Sequence, residues 1–238
     1  MVMKNFDWLF KTPIAHRGLH DEKISENSIP SYELAISKGY NIEIDVRLTR
    51  DKEIVVFHDD TLSRLCNLDK RVDELDYSDI QNIRLPHGER IPRLNEVLDC
   101  VSSRSGLLIE LKSNGNGTLE EGVNDMLHSY KGDFAVQSFH PFSIRWFKTH
   151  AERVPRGLLA TYDKLPIKCY ESFLLRHLIL LPYCKPDFLS YDEAHIERRR
   201  IRRLKIPKLA WTVRDMSRAK AILENNLADN VIFESFEP

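Results

Sequence analysis

The sequence predicts an α/β fold, namely a closed (β/α)8 barrel (TIM barrel) with a small insertion after the second strand. Eight short β-rich segments alternate with helical patterns, which is the order of parallel βαβ units. The chain has 238 residues, close to the roughly 250 typical of such a barrel. An open doubly wound sheet is the alternative. No GxGxxG turn follows the first strand, so a Rossmann dinucleotide site is not supported.

The eight barrel strands are predicted where β-branched and other apolar residues cluster between polar turns. Helices are predicted between most of them, and two have recognisable N-terminal caps. Ser28 precedes a helix with Pro30 in its first turn and Gly39 at its end, and Asp215 precedes the last helix. The predicted strands are 13–17, 42–46, 107–111, 134–139, 156–160, 187–192, 209–213 and 230–234, and the predicted helices are 28–39, 93–103, 141–151, 193–205 and 215–226.

A ninth β-rich segment, 53–58, follows the second strand after only the turn TRDK. Parallel neighbours need a crossover of about a dozen residues or more. We therefore expect 42–46 and 53–58 to form a hairpin, or the second segment to rise above the barrel. The polar stretch 59–92 then becomes a small insertion, and residues 1–238 form one domain.

Composition excludes several classes of protein. The formal net charge is −1, which gives no electrostatic indication of a nucleic-acid partner. No apolar run is long enough for a signal peptide or an integral membrane segment. The four cysteines form no CxxC pair, so we expect a reduced, cytoplasmic chain. The basic run 196–205 is interpreted as the solvated face of a helix, and nothing in the sequence specifies an oligomeric state.

Polar residues gather where the predicted strands end, which is where barrel enzymes place their active sites. Strand alternation puts Glu43 and Asp45 on one face of the second strand, and Glu110 and Lys112 on one face of the third. Taken singly, each pair has a simpler interpretation as a solvated strand face or an exposed ion pair. Together they place four polar side chains from adjacent strands at the barrel mouth.

Buried carboxylates need a cation or a hydrogen-bonded partner. Glu43, Asp45 and Glu110 therefore suggest an all-oxygen site for a hard divalent cation, Mg2+ or Ca2+. Arg17 and Lys112 supply positive charge for a phosphate.

Two histidines, His16 and His58, lie at the ends of predicted strand segments and have reference pKa values suited to proton transfer. Together with the carboxylates and the two cations, they describe phosphodiester cleavage better than acyl transfer or redox chemistry. Trp211, on a late strand, either lines the site or belongs to the core.

These residues lie in a set of spaced motifs that closely resembles the glycerophosphodiester phosphodiesterase family. The family pattern is His-Arg-Gly, Glu-Asn-Thr, Glu-x-Asp, Thr-x-Asp-Gly and a valine-rich strand ending in His-Asp. The further matches are GERIPRLNEVL (88–98), LLIELK (107–112), VQSFHP (136–141), KPDFLSYD (185–192) and AWTV (210–213). The resemblance covers most of the chain and implies a (β/α)8 barrel with a small insertion after the second strand.

The resemblance also implies an activity. It implies hydrolysis of small-molecule glycerophosphodiesters to glycerol 3-phosphate and an alcohol. It further implies a divalent metal on Glu43, Asp45 and Glu110, with His16 and His58 as the acid–base pair. A related phospholipase D-type enzyme acting on lysophospholipids or sphingomyelin is an alternative, as is an inactive barrel that binds phosphodiesters or a partner without turnover.

The sequence departs from the family pattern at four places. Ser28 replaces a threonine but keeps the hydroxyl, and Lys52 replaces the glycine of the turn. Arg93 and Asn95 change the start of a helix. The C-terminus, VIFESFEP, replaces a Thr-Asp-x-Pro ending and could bear on substrate preference.

Overall fold

A computed structural model of the chain describes residues 6–163 and 169–238. Eight parallel strands in this part of the chain form the predicted closed barrel, and one further strand pairs antiparallel at its edge. The strands are β1 (Ile14–Ala15), β2 (Asn41–Leu48), β3 (Ile54–Val56), β4 (Leu107–Leu111), β5 (Phe134–Ser138), β6 (Arg156–Ala160), β7 (Phe188–Asp192), β8 (Lys208–Val213) and β9 (Asn230–Phe233).

Helices connect the strands on the outside of the barrel, and short helical turns cap its two ends. The α-helices are α1 (Trp8–Lys11), α2 (Ile29–Ser37), α3 (Ser63–Cys66), α4 (Tyr77–Ile80), α5 (Leu94–Val101), α6 (Thr118–Leu127), α7 (Pro141–His150), α8 (Cys169–Arg176), α9 (Leu181–Cys184), α10 (Arg199–Arg202) and α11 (Met216–Glu224). Two 3-10 turns span Val72–Glu74 and Glu193–His195. Within the described ranges no helix is both long and apolar enough to cross a membrane.

The barrel closes through β1, which pairs in parallel with β2 on one side and with β9 on the other. β1 is shorter than predicted, because only Ile14 and Ala15 pair with the neighbouring strands. The remaining parallel pairs follow chain order from β4 to β9, and β2 pairs directly with β4. All eight carboxyl ends therefore meet at one mouth, where barrel enzymes carry their chemistry.

β3 confirms the predicted hairpin. It runs antiparallel to β2, with Val46 opposite Val56 and Leu48 opposite Ile54. The insertion that follows has a small core of its own, built on Val55 and Phe57 from the hairpin and on Leu62, Val72 and Ile80 from its short helices. It holds the end of the hairpin over the barrel mouth.

Two apolar layers support the site from below. The outward-facing Ile42, Ile44 and Val46 of β2 are fully buried against the helices, each contributing roughly 1.5–3 kcal/mol. Inside the barrel, inward-facing residues near the amino ends of the strands pack with Leu9 of α1. The floor is therefore apolar, and polar side chains are confined to the mouth.

The short helices α1, α3 and α4 were not predicted, and two longer segments also differ from the sequence prediction. α6 was not predicted, although Leu119, Val123 and Leu127 have helical spacing and are buried. The helix predicted at 193–205 is wrong: the Asp192 side chain accepts a hydrogen bond from the His195 backbone and closes a 3-10 turn. Arg198 then leaves the helical conformation, with φ −56° and ψ 132°, before α10 begins. Ile196 and Ile201 are nevertheless buried, and the basic side chains between them are exposed.

Replacing Asp215 by alanine should destabilise the protein by about 1 kcal/mol, because its side chain caps α11. The carboxylate accepts a hydrogen bond from the Arg218 backbone N–H at 2.9 Å. Thermal unfolding measures the loss. Lys220→Ala, an exposed change in the same helix, should stay within about 0.5 kcal/mol of wild type. Equal effects of the two changes would contradict the capping role.

Candidate active site

The predicted site residues converge on one cavity of about 320 Å3 at the barrel mouth. They come from the ends of β1, β2, β4 and β8 and from the hairpin arm. All the predicted residues except Asp45, which is fully buried at the base, line this cavity: His16, Arg17, Glu43, His58, Glu110, Lys112 and Trp211.

Three buried carboxylates form the base of the site. Register sets them side by side, because Asp45 of β2 lies opposite Glu110 of β4, and alternation brings Glu43 onto the same face. Glu43 is 1%, Asp45 0% and Glu110 6% exposed. One oxygen from each lies within 4.8 Å of the others. Three carboxylates this close together and this deeply buried need positive charge among them.

Burial dominates the electrostatics of these carboxylates. It raises the pKa of Glu43 well above its usual range, and the charges of Asp45 and Glu110 raise it further. Burial likewise raises the pKa of Glu110. Burial alone would also raise the pKa of Asp45, but Lys112, His58 and Arg17 together hold it well below its usual range. Asp45 is therefore the carboxylate whose charged form the protein itself stabilises most.

Two cations face this base. Lys112 contacts Glu110 and lies 3.0 Å from Asp45 Oδ1. Its pKa is raised, because the attraction of the two carboxylates outweighs burial. Arg17 Nε lies 3.3 Å from Asp45 Oδ2, and the Arg17 backbone N–H donates to Glu43 Oε2 at 3.1 Å. Glu26 accepts from Arg17 Nη1 at 2.7 Å and fixes the guanidinium direction.

The carboxylate cluster fits a hard divalent cation. The fit rests on Glu43 Oε1, which is buried and has no hydrogen-bond partner among residues 6–163 and 169–238. An unpaired buried carboxylate oxygen is costly. Oxygen ligands from three carboxylates are the set that Mg2+ and Ca2+ prefer.

His16 lies directly after β1 and is 9% exposed. Its Nδ1 is 2.5 Å from Glu234 Oε2. Because an ionised carboxylate only accepts hydrogen bonds, Nδ1 must carry the proton. Nε2 then faces inward, 4.0 Å from Glu43 Oε2. Burial is the largest influence on the His16 pKa and lowers it below 6.5 despite the hydrogen bond.

His58, at the end of the hairpin arm, is held in a comparable way. Asp59 Oδ1 accepts from His58 Nδ1 at 2.6 Å, and Arg64 Nε donates to Asp59 Oδ2 at 2.6 Å. Arg47 donates to the His58 carbonyl at 2.9 and 2.6 Å. Burial, followed by Lys112, lowers the pKa of His58 to about 4. Burial thus favours the neutral form of both histidines, and both have Nδ1 engaged.

Asn27 supports the base of the site, and sequence reasoning missed it. Its amide donates to Asp45 Oδ2 at 2.9 Å and accepts from Tyr32 OH at 3.1 Å. Asn27 has a φ of 52°, a conformation that asparagine tolerates better than most residues. The turn after β1 and the cap of α2 are therefore built around the carboxylates.

The opposite wall is less charged. Trp211 lines the cavity and packs edge-on against Phe139, with ring centroids 5.4 Å apart. Trp211 is half-buried and packs against the apolar core from its edge, so it lines the cavity without belonging to the core itself. Gln137 is buried and accepts from Ser190 Oγ at 2.7 Å. Asp192 closes this side, accepting from the backbone N–H of Tyr162 and of His195.

Comparisons with known proteins point to one family. Residues 16–236 match the model of the glycerophosphoryl diester phosphodiesterase family. A Bacillus subtilis (strain 168) protein provisionally named as a glycerophosphodiester phosphodiesterase is 32% identical over 67% of this chain and 72% of its own length. The glycerophosphodiester phosphodiesterase of Caldanaerobacter subterraneus subsp. tengcongensis is 32% identical over 61% of this chain and 65% of its own.

A solved structure shares the fold. An Oleispira antarctica phosphodiesterase, determined in complex with the product sn-glycerol-3-phosphate, superposes with a TM-score of 0.76 at 23% identity. The match covers 93% of this chain and 91% of the other.

Proposed function

Because the chain belongs to the glycerophosphoryl diester phosphodiesterase family, we propose that it hydrolyses glycerophosphodiesters to glycerol 3-phosphate and an alcohol by metal-dependent, two-histidine catalysis. One observation carries this proposal. Two cations, two histidines and two carboxylates line a single cavity, and the two carboxylates cluster with a third that is buried at its base.

The carboxylates have a binding role in this proposal. Glu43, Asp45 and Glu110 would hold Mg2+ or Ca2+, which when bound supplies positive charge to the phosphate oxygens. Arg17 and Lys112 bind further nonbridging oxygens by charge-assisted hydrogen bonds. These contacts strengthen as charge grows on the phosphoryl oxygens, so they favour the transition state.

The histidines have the proton-transfer role. The Nε2 of one accepts a proton from the nucleophile, either water or the substrate's own glycerol hydroxyl. In the second case the product is a cyclic phosphate, which water must then open to give glycerol 3-phosphate. The other histidine, once protonated, donates to the leaving alcohol oxygen. Their shared neutral tautomer suits the first step directly. The second step requires that one histidine gain a proton in the presence of the anionic substrate, which opposes the lowering of its pKa by burial.

Release of glycerol 3-phosphate from glycerophosphocholine tests the activity, and chelation tests the metal. Activity should disappear in excess chelator, because the buried carboxylates then repel the phosphate. Addition of Mg2+ or Ca2+ should restore it. Full activity in chelator would contradict the metal assignment.

Substrate choice needs a separate assay arm. A lysophospholipid with the same head group separates the phospholipase D-type alternative, because that enzyme requires room for an acyl chain. Faster turnover of the lysolipid would favour the alternative. Binding of phosphodiesters without any product would favour the inactive barrel.

A further inference from the structure

Three adjacent strands bring a carboxylate behind His16. Ala15 of β1 lies opposite Phe233 of β9, so the next residues, His16 and Glu234, are neighbours at the barrel mouth. The Glu234 backbone N–H donates to the Val213 carbonyl at 2.9 Å. Arg214, the residue after β8, therefore stands on the other side of Glu234.

The contacts among His16, Glu234 and Arg214 differ in burial. The Glu234 side chain is 17% and that of His16 is 11% exposed, and their short hydrogen bond is shielded from water. Arg214 is 59% exposed and donates to both Glu234 oxygens, at 3.0 and 3.3 Å. An exposed ion pair of this kind contributes little by itself. Its effect here is to orient the carboxylate that His16 contacts.

We propose that Glu234 is a positioning residue for catalysis: it holds His16 in the tautomer protonated at Nδ1, with Nε2 directed at the bound phosphodiester. The inference rests on the proposed function and deepens it. A carboxylate on one ring nitrogen fixes which nitrogen is free. Without Glu234, the ring would sample the other tautomer and other rotamers, and fewer molecules would have a competent Nε2.

The arrangement around His58 supports this role independently. Asp59 and Arg64 repeat the same order of histidine, carboxylate and arginine. Asp59 is adjacent to His58 in sequence, whereas Glu234 is 218 residues from His16. Closure of the barrel thus places the Glu234 carboxylate beside His16, whereas the carboxylate beside His58 comes from the next residue in the chain. Each of the two proposed proton-transfer groups has a carboxylate on Nδ1.

The competing explanation is purely structural, since Glu234 also ties β9 to β1 and β8. A structural tie would affect stability and leave His16 unchanged in the folded protein. Two readouts separate these cases. Steady-state kinetics report kcat and KM, and 15N NMR of the imidazole reports the tautomer. Signals of His16 are assigned by their loss in a His16→Gln variant.

In the folded Glu234→Ala variant, kcat for glycerophosphocholine should fall roughly 10- to 100-fold, the scale of losing a hydrogen-bonded partner that orients a histidine. KM should stay unchanged. At pH 8, where His16 is neutral, its 15N signals should shift from the single Nδ1-protonated form to a tautomer mixture. Glu237→Ala, an exposed change three residues away, should alter neither.

An unchanged tautomer in Glu234→Ala would overturn the proposal, whether or not kcat falls. If that variant does not fold, Glu234→Gln replaces it. Glutamine keeps an acceptor oxygen but loses the charge, so kcat should fall less than 10-fold with the Nδ1-protonated form still dominant; wild-type kcat would overturn the proposal. Because NMR needs no turnover, absence of hydrolysis by the wild type would refute the proposed function separately.

Discussion

Replacing His16 or His58 by alanine is expected to lower kcat by about 10²- to 10⁴-fold, the usual contribution of a positioned acid or base. The two histidine rings do not hold the carboxylate cluster in place, because Lys112, Arg17 and Asn27 make the direct contacts to it. KM should therefore change little. Release of glycerol 3-phosphate under saturating substrate measures the effect.

The double variant sharpens this expectation. If the two histidines act on opposite sides of one transition state, removing both should cost little more than removing one, because groups that act as a unit are not additive. His128→Ala is the matched control, an exposed histidine at the C-terminal end of α6, and should retain wild-type kcat. Wild-type turnover in either single variant would contradict the two-histidine mechanism.

The part of the site that lies on regular strands was predictable. Alternation alone puts Glu43 with Asp45 and Glu110 with Lys112 on common faces, and the short turn TRDK excludes a crossover before His58. Both placements follow from local sequence, without knowledge of which strand closes the barrel, and the structure brings the same residues together.

Glu234 was missed for the opposite reason. Its significance depends on β9 lying beside β1, a contact across 218 residues, and the altered C-terminus suggested only an effect on substrate preference. A closed barrel does offer a usable rule, because the residue after the last strand must lie beside the residue after the first. Asn27 is harder to find, since it acts through a left-handed loop conformation with no sequence period.

Two of the helix errors also have physical causes. α6 begins after Gly117 in a stretch rich in glycine and asparagine, which is typical of loops and hides the apolar spacing that follows. At 193–205 the apolar spacing was correct, but Asp192 offered the backbone a side-chain hydrogen bond and diverted it into a 3-10 turn. Local capping overrode periodicity in the second case.

Glu43→Gln is expected to have opposite effects on stability with and without metal. In chelator it should stabilise the protein by about 1–3 kcal/mol, because the ionised form of Glu43 is disfavoured by burial beside two other carboxylates, whereas glutamine is always neutral. Thermal unfolding should show a rise of roughly 2–4 °C per kcal/mol for a chain of this size. The same change should abolish the stabilisation of wild type by Mg2+ or Ca2+, which at 100-fold above Kd is about 2.7 kcal/mol.

The pH dependence of stability in chelator gives a second check on the direction of the Glu43→Gln effect. The pKa of Glu43 is raised in the folded protein by burial, so its ionised form favours unfolding. That penalty is fully present above the folded pKa and vanishes below the unfolded pKa, near 4.5. The advantage of Glu43→Gln should therefore be largest at neutral and alkaline pH and shrink on acidification.

A charge-matched control distinguishes the site from a general charge effect. Glu224→Gln removes one carboxylate from the exposed end of α11 and should leave both the stability in chelator and the metal response as in wild type. If Glu43→Gln were less stable than wild type in chelator and still stabilised by metal, the carboxylates would be structural. The metal assignment means that the buried carboxylates repel one another without metal and that a bound cation relieves this repulsion.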